Sequence, residues 1–167
     1  MAVTIDGVGE INGVVLPTTS FGKVLQVVRA SDVTRRTTTS TSFVDVTGMS
    51  VTITPERSTS AILVIATSNI SSSHSSTSST RTSRLAITDS SNVVVGGVDQ
   101  PTFGQISNAG SGVQSIESDF ALFAYVLPAT LSAVTYKLRF KSDDAGTTTQ
   151  IKNDLYTGQM YAIEVSA

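Results

Sequence analysis

The sequence has no cysteine, no tryptophan and a single histidine, His74. Without cysteine the chain can form no disulfide framework and no thiolate metal site. Because imidazole is the usual acid–base group near neutral pH, one histidine leaves few ways to build a catalytic centre. We therefore expect no enzymatic activity, no metal and no cofactor.

Charge is scarce as well, since Asp, Glu, Lys and Arg make up 14% of the chain against roughly 25% in an average soluble domain. The net charge of −2 provides no basic surface, so we expect no nucleic-acid partner. The first residues lack the basic and long apolar regions of a signal peptide. Apolar runs such as Ala61–Ala66 are too short to cross a bilayer, so we expect no membrane insertion.

Serine and threonine, by contrast, supply 49 of the 167 residues, and apolar side chains alternate with them. One face of Val134–Lys141 is entirely apolar, and its members are Val134, Tyr136, Leu138 and Phe140. Met49–Thr54 and Met160–Val165 alternate in the same way, with Tyr161, Ile163 and Val165 on the apolar side of the second segment. No window has a capped helical period. These patterns predict an all-β chain, an antiparallel β-sandwich that is jelly-roll-like.

The other segments divide into strands and loops. Further strands are predicted at Lys23–Arg29, Phe43–Val46, Ala61–Asn69, Arg81–Thr88, Val93–Val98 and Phe120–Leu127. Thr47-Gly48 is predicted to be a turn. Ile70–Thr80 and Gln100–Ser115 are predicted to be surface loops, because small polar residues dominate them. Thr34–Ser42 fits either an edge strand or a loop.

Residues 1–21 differ from the sandwich domain that we predict for residues 22–167. Glycines interrupt this first segment, Pro17 ends it, and its apolar side chains are Val3, Ile5, Val8, Ile11, Val14 and Leu16. The pattern predicts a strand–turn–strand arm that pairs with a neighbour, because β-branched residues would otherwise lie exposed. A mobile terminus is the alternative.

Three other positions could carry chemistry, and each also has a simpler interpretation. His74 lies in the serine tract, where nothing would orient a catalytic base, so we interpret it as a solvated loop residue. Asp143-Asp144 could bind a hard cation, although such a pair more often forms a turn. Arg35-Arg36 could contact a partner subunit, although the pair also suits a solvated edge strand.

Two parts of the sequence carry a resemblance to a known family. The first is the run GKVLQVVRASDVTRRTTTSTSFVDVTGMSVTITPERSTSAILVIATSN, Gly22–Asn69, followed later by the strands YKLRF and YAIEV. The second is the lead-in TIDGVGEINGVVLP. Together they resemble a β-sandwich domain, with its glycine-punctuated lead-in, of tail-fibre-like and other structural proteins of tailed bacteriophages, especially aquatic ones.

The resemblance implies a non-enzymatic structural protein on the surface of the phage particle. One form is a small trimeric tail-fibre or tail-tip protein, attached through its N-terminal arm to other virion proteins and contacting the host surface, where a glycan is a possible partner. The alternative is a capsid decoration (cement) protein that stabilises the shell. The family is commonly trimeric, and low charge with surplus apolar strand surface also favours a homotrimer. Tyr136, Phe140 and Tyr161 are the candidate interface residues.

Overall fold

The computed structural model describes residues 4–5, 11–12, 22–74, 81–96, 102–106 and 113–166. Every regular element in these residues is a β-strand, and all pairings between strands are antiparallel. The strands are β1 (Thr4–Ile5), β2 (Ile11–Asn12), β3 (Val24–Asp32), β4 (Arg36–Thr38), β5 (Val44–Ile53), β6 (Ala61–His74), β7 (Arg81–Asp89), β8 (Thr102–Ile106), β9 (Gln114–Val126), β10 (Val134–Ser142), β11 (Thr147–Ile151) and β12 (Gly158–Val165). The predicted antiparallel β-sandwich is confirmed.

Two sheets pack face to face around one core. The smaller sheet has the strand order β5-β10-β7-β8. The larger sheet is centred on β6, which pairs with β9 along one edge. Along its other edge, β6 pairs first with β12 and then with β11, so these two strands lie end to end. Beyond them are β3 and β4, and the order β3-β12-β6-β9 opposite β5-β10-β7-β8 is compatible with the jelly-roll prediction.

The core lies between the inward faces of the two sheets. Ile62, Val64 and Ala66 of β6 are fully buried, because every second residue of a strand points to the same side. The facing strand β10 contributes Leu138 and Phe140, as its alternation predicts. Leu85 and Ile87 of β7, a strand predicted from the sequence, are also inward.

The first half of the serine tract belongs to the core rather than to a loop, so the prediction for Ile70–Thr80 is wrong as far as His74. Four hydroxyl residues from four strands meet inside the sandwich: Ser72, Ser83, Ser142 and Thr149. Ser83 Oγ lies 2.9 Å from Ser72 Oγ and 2.6 Å from Thr149 Oγ1, which lies 2.9 Å from Ser142 Oγ. Mutual hydrogen bonds allow these polar side chains to be buried.

His74 is likewise buried, with 3% of its surface exposed, which corrects its interpretation as a solvated loop residue. Neither ring nitrogen has a hydrogen-bond partner in the described part of the chain. It ends β6, where it pairs in register with Thr147 of β11 and Gln114 of β9. The alternation of β6 places it inward together with Ser72.

The predicted turn at Thr47-Gly48 is a bulge within one continuous strand, β5. Gly48 has a φ of +93°, a value that few residues other than glycine adopt, and the register of β10 shifts between Lys137 and Arg139 opposite it. The three extra residues of β5 let both Val46 and Met49 point inward, although their odd spacing would place them on opposite faces of a regular strand. A side chain at Gly48 would also collide with the Asp32 carboxylate.

Three further segments differ from their predictions. The predicted loop Gln100–Ser115 contains β8 and the first residues of β9. The predicted strand Val93–Val98 contributes a single bridge, between Val94 and Thr88, in its described part. Thr34–Ser42 contains the three-residue edge strand β4 and is otherwise irregular, so each alternative describes a part of it.

Glu164 of β12 is a fully buried carboxylate that fastens the segment between β5 and β6 to the larger sheet. It accepts hydrogen bonds from the backbone N–H groups of Glu56 (2.9 Å) and Arg57 (3.2 Å) and from the side-chain amide of Gln26 (2.6 Å). Burial alone would raise the pKa of Glu164, but these donors outweigh it and lower the pKa below the usual value.

We predict that Glu164→Gln lowers the free energy of unfolding at neutral pH by about 2–3 kcal/mol, because an amide turns its own donors towards N–H groups that need an acceptor. Since the pKa is lower in the folded chain, the carboxylate stabilises the fold above its unfolded pKa, and this is lost as pH falls through the folded value. Urea unfolding from pH 7 to pH 3 should show a weaker pH dependence in the variant.

Glu117→Gln is the control, because Glu117 is partly exposed and its ion pair with Lys152 lies at the surface. It should change stability by less than about 1 kcal/mol. Equal losses in the two variants would contradict a special role for the buried carboxylate.

Candidate functional site

The smaller sheet covers its outer face with its own charged side chains. Lys137 Nζ lies 3.2 Å and Arg139 Nε 2.6 Å from the carboxylate of Asp45, and Lys137 also donates to the Asn92 side chain. Burial works to raise the pKa of Asp45, but hydrogen bonds and charge from Lys137 and Arg139 lower the pKa overall. This face therefore presents paired charges to solvent.

The larger sheet has the opposite character on its outer side. Its outward residues form two neighbouring rows across four strands, and we call them the outer apolar face: Val27, Leu63, Ile65, Phe123, Tyr125, Tyr161 and Ile163. One row follows the register Phe123–Ile65–Tyr161, and the next follows Tyr125–Leu63–Ile163–Val27. Alternation places all of them outward, since their neighbours along each strand are inward.

Three side chains of this face are well exposed, and the other four, Leu63, Ile65, Tyr161 and Ile163, are partly buried. The exposed fraction is 56% for Phe123, 62% for Tyr125 and 55% for Val27. Four strands about 4.8 Å apart and two rows of side chains about 7 Å apart give the face an area on the order of 300 Å². An apolar surface of this size matches the largest patch of a typical soluble monomer, and such a patch is often functional.

The polar groups near the face lie at its margins. Arg29 continues the Phe123–Ile65–Tyr161 row, and its guanidinium lies 5.9 Å from the centre of the Tyr161 ring. The row beyond contains Ser31, Gln159, Thr67 and Ala121. Only this side of the face has the polar margin that is usual at a protein–protein interface, since the outward row on the opposite side contains Val165 and Val24.

One margin of the face is formed by the edge strand β9. It pairs with β6 and, in the part of the chain that the structure describes, with no other strand. Gly96 packs so closely against Ala124 that a side chain there would collide with it, and its φ of +75° also favours glycine. Gly96 therefore covers the inner side of β9 at Ala124, while Phe123 and Tyr125 are exposed on its outer side.

The three predicted interface residues lie in two different parts of the structure. Tyr136 and Phe140 are each 2% exposed and belong to the core of the single chain. Burial, with a smaller contribution from the Asp89 charge, raises the pKa of Tyr136 above its usual value. Tyr161 is half-buried and lies in the outer apolar face. A trimer interface stays a prediction, and Tyr136 and Phe140 have almost no surface to offer it.

Sequence reasoning grouped Tyr161, Ile163 and Val165 on one side of Met160–Val165 but did not identify the face to which they belong. In the structure Met160, Ala162 and Glu164 point inward, while Tyr161 and Ile163 point outward. Leu63 of β6 also points outward and is partly buried. The signal that could have revealed the outer apolar face is that apolar residues occupy both alternating positions of β6 and β12.

The N-terminal segment is described at only four residues. Thr4 pairs with Asn12 and Ile5 with Ile11, which makes β1 and β2 a sheet of their own. The other apolar residues assigned to the arm lie outside the described residues: Val3, Val8, Val14 and Leu16. Attachment through this arm stays a prediction.

The acidic pair Asp143-Asp144 forms part of a turn. Asp143 forms an ion pair with Arg84, with 2.7 Å between Oδ1 and Nε, and also accepts from the Thr82 hydroxyl. Asp144 accepts from the backbone N–H of Gly146 at 2.7 Å and from the Thr147 hydroxyl. Side-chain acceptors of this kind fix tight turns.

The Arg35-Arg36 pair contacts groups of its own chain. Arg35 forms an ion pair with Asp154 at 3.0 Å. Arg36 bridges the two sheets, since it contacts Asp32 of β3 at 3.3 Å and donates to the carbonyl of Thr47 in β5 at 2.8 Å. These contacts explain the pair without a partner subunit.

Among the described residues, no group of three or more His, Asp or Glu side chains is placed to hold a metal ion. The same part of the chain contains no helix able to cross a membrane. A cleft of about 260 Å³ lies beside Tyr136 and Pro128, which is below the roughly 300–1,000 Å³ of typical small-molecule sites. The outer apolar face is thus the strongest candidate for a functional site.

Comparisons with known proteins place few limits on this interpretation. No family model and no curated protein matches the chain. One solved structure that it resembles is that of infectious bursal disease virus, Gx strain, at 11% identity and a TM-score of 0.31. The match covers 87% of this chain and 37% of the viral chain, so this chain spans little more than a third of that protein. A TM-score this low establishes no common fold or function.

We predict that Phe140→Ala lowers the free energy of unfolding by about 3–5 kcal/mol, because it leaves a cavity in a packed core. The difference from the unsubstituted chain should be the same at low and high protein concentration, since the side chain is buried within one chain. Urea titrations at two concentrations measure this. A difference that changes with concentration would instead place Phe140 in an interface between copies.

Proposed function

We propose that this chain is a non-enzymatic structural protein of the phage virion surface, and that it acts through protein–protein contact. In the form we favour, it is a small trimeric tail-fibre or tail-tip protein that is attached by its N-terminal arm and contacts the host surface. The outer apolar face is the observation that carries the contact function. The virion assignment is supported by the sequence resemblance of Gly22–Asn69 and the later strands to structural proteins of tailed bacteriophages.

The environment of the titratable groups also supports a non-catalytic role. His74 is buried and has no hydrogen bond to a hydroxyl or carboxylate in the described part of the chain, whereas a catalytic imidazole needs an orienting partner. Glu164 is occupied by structural donors, and the Asp45 carboxylate by Lys137 and Arg139. The carboxylates of Glu164 and Asp45 therefore stabilise the fold.

A capsid decoration protein is the second candidate, and the shape of the site supports it. The outer apolar face is a broad sheet surface rather than a pointed tip, so it could lie flat on a neighbouring shell protein. The two candidates differ in where the protein is found on the particle.

We predict that antibody raised against the purified chain labels particles at the tail. Gold-labelled antibody viewed by electron microscopy measures the position directly. Label spread over the capsid would replace the tail-fibre form with the decoration form. Particles without label, in preparations where other surface proteins are detected, would contradict the virion assignment itself.

We predict that a shortened chain beginning at Gly22 folds but does not join particles. The sandwich is closed at this point by its own hydrogen bonds, since Lys23 and Ser166 exchange two bonds of 2.9 Å. Loss of residues 1–21 therefore leaves the described sandwich contacts in place. Circular dichroism measures folding, and co-purification with particles measures attachment.

The full-length chain is the control for both measurements. Incorporation of the shortened chain at the normal level would move attachment to the sandwich surface. Insolubility of the shortened chain would show that residues 1–21 belong to the fold.

A further inference from the structure

We propose that the cleft beside Tyr136 binds one ring of a neutral sugar, such as the terminal unit of a glycan. This deepens the host-surface contact proposed above, on which it rests, because it names the chemical class of the partner. The cleft is separate from the outer apolar face, since none of the seven residues of that face lines it.

The cleft lies between the two sheets, at the end of the sandwich where β7 and β9 finish and β10 begins. Asp89 is the last residue of β7, and it pairs in register with Tyr136 of β10. Alternation turns both side chains towards the space between the sheets, on the same side of β7 as the buried Leu85 and Ile87. At this end of the sandwich the inward row of apolar residues therefore gives way to a phenol and a carboxylate.

Both of these groups have hydrogen-bonding capacity that the fold does not use. The Tyr136 hydroxyl has no hydrogen-bond partner in the part of the chain that the structure describes, although a buried tyrosine usually has one. Asp89 Oδ1 accepts from the backbone N–H groups of Ser91 and Val93 at 2.8 and 2.9 Å, whereas Oδ2 has no donor among the described residues. A ligand in the cleft can therefore bond to both groups without displacing a bond of the fold.

The chemistry of the two groups favours a neutral ligand that carries hydroxyls. Burial, with a smaller contribution from the Asp89 charge, raises the pKa of Tyr136, so the phenol keeps its proton at neutral pH and can donate it. The Asp89 carboxylate only accepts, and it repels an anionic ligand. An ammonium group has donors only and would leave the phenol proton unpaired. Two adjacent sugar hydroxyls, each both donor and acceptor, satisfy both groups.

The remaining lining is largely apolar and suits the faces of a sugar ring. Val95, Val126, Pro128 and Val134 line the cleft, and the three valines also pack against the core, which fixes their positions. A pyranose has hydroxyls around its edge and C–H groups on its faces, so it matches a site with a few polar groups among apolar ones. The volume of about 260 Å³ is below that of sites for drug-sized ligands and limits the ligand to about one ring.

The backbone beside the cleft adopts disfavoured conformations. Of the described residues other than glycine, only Asn92 and Ala129 have a positive φ, at +68° and +51°. Asn92 lies in the turn that Asp89 fixes, and Ala129 follows Pro128 of the lining. Asparagine tolerates this conformation, but the Cβ of alanine disfavours it. Residues held in this way are concentrated at functional sites, which agrees with a binding role for the cleft.

The test is a titration of the full-length, ¹⁵N-labelled chain with the methyl glycosides of glucose, galactose, mannose and N-acetylglucosamine, followed by the NMR signals of the backbone amides. A ligand of about a dozen non-hydrogen atoms should have a dissociation constant on the order of 1–10 mM, so each sugar is added to about 50 mM. We expect at least one sugar to shift the amides of Val95, Val126 and Val134 in a saturable way.

Sorbitol and methylammonium are the control ligands. Sorbitol carries hydroxyls without a ring, and methylammonium carries a charge without an acceptor, so both should bind more weakly than the best sugar. Equal binding of sorbitol would contradict the requirement for a ring. Tighter binding of methylammonium would assign the cleft to a cation. Either result would overturn the inference.

Two variants test the polar groups. Tyr136→Phe removes only the hydroxyl and should weaken binding of the best sugar by about two- to tenfold. Asp89→Asn keeps an acceptor for the turn but loses the charge, and it should weaken binding by about tenfold or more. Tyr156→Phe is the matched control, because it removes the same atom from a half-exposed tyrosine outside the cleft. It should bind like the unsubstituted chain.

Stability distinguishes a binding role of the Tyr136 hydroxyl from a structural one. Urea titration of Tyr136→Phe should give a free energy of unfolding that is unchanged or higher, because the hydroxyl it loses has no partner. A less stable variant that binds the sugar normally would show that the hydroxyl serves the fold, and would overturn the inference. So would amide signals at the cleft that no sugar shifts at about 50 mM, which is above the expected dissociation constants.

Failure of this inference and failure of the proposed function give different results. Sugar binding in the cleft of a protein that is absent from particles would contradict the virion role and leave the inference standing. A chain that is found on particles and binds none of the sugars would do the reverse.

Discussion

The backbone pairing of β6 is the constraint on which the rest of the structure depends. This strand is hydrogen-bonded to β9 along one edge and to β12 and β11 along the other. Because side chains alternate, this pairing fixes the orientation of three other strands at once. Ile62 and Val64 therefore point into the core, and Leu63 and Ile65 must point outward. The outer apolar face is a direct consequence of this register.

The same register explains how a chain so rich in serine and threonine can have a core. The inward side of β6 changes from Ile62 and Val64 at one end to Ser72 at the other, where hydroxyl groups from four strands bond to one another. Small hydroxyl side chains are both donors and acceptors, so they can satisfy each other without water. Composition alone suggested a surface loop, because a polar tract lacks apolar residues. Pairing across the sheets is information that a single tract does not contain.

The sequence predicted the strands better than it predicted their faces. Val134–Lys141 has one apolar and one polar face, and its inward side was correctly identified. Met160–Val165 offered Tyr161 and Ile163 against Glu164, and a carboxylate is normally the exposed residue. In the structure Glu164 is buried instead, because hydrogen-bond donors from Gln26 and from the segment after β5 surround its carboxylate. Such donors come from residues distant in sequence, so local alternation could not reveal them.

The outer faces of the two sheets differ in the side chains that they expose to solvent. The smaller sheet carries the paired charges of Lys137, Arg139 and Asp45 on its outer face. The larger sheet leaves about 300 Å² of apolar surface, so contact with a partner of matching area would bury about 600 Å² in total and gain about 15 kcal/mol at 25 cal/mol per Å². Association costs about 4–15 kcal/mol, so the face alone supports contact without ensuring high affinity. A second attachment, such as the predicted arm, would then act together with the face, because a tethered contact needs less intrinsic affinity than a free one.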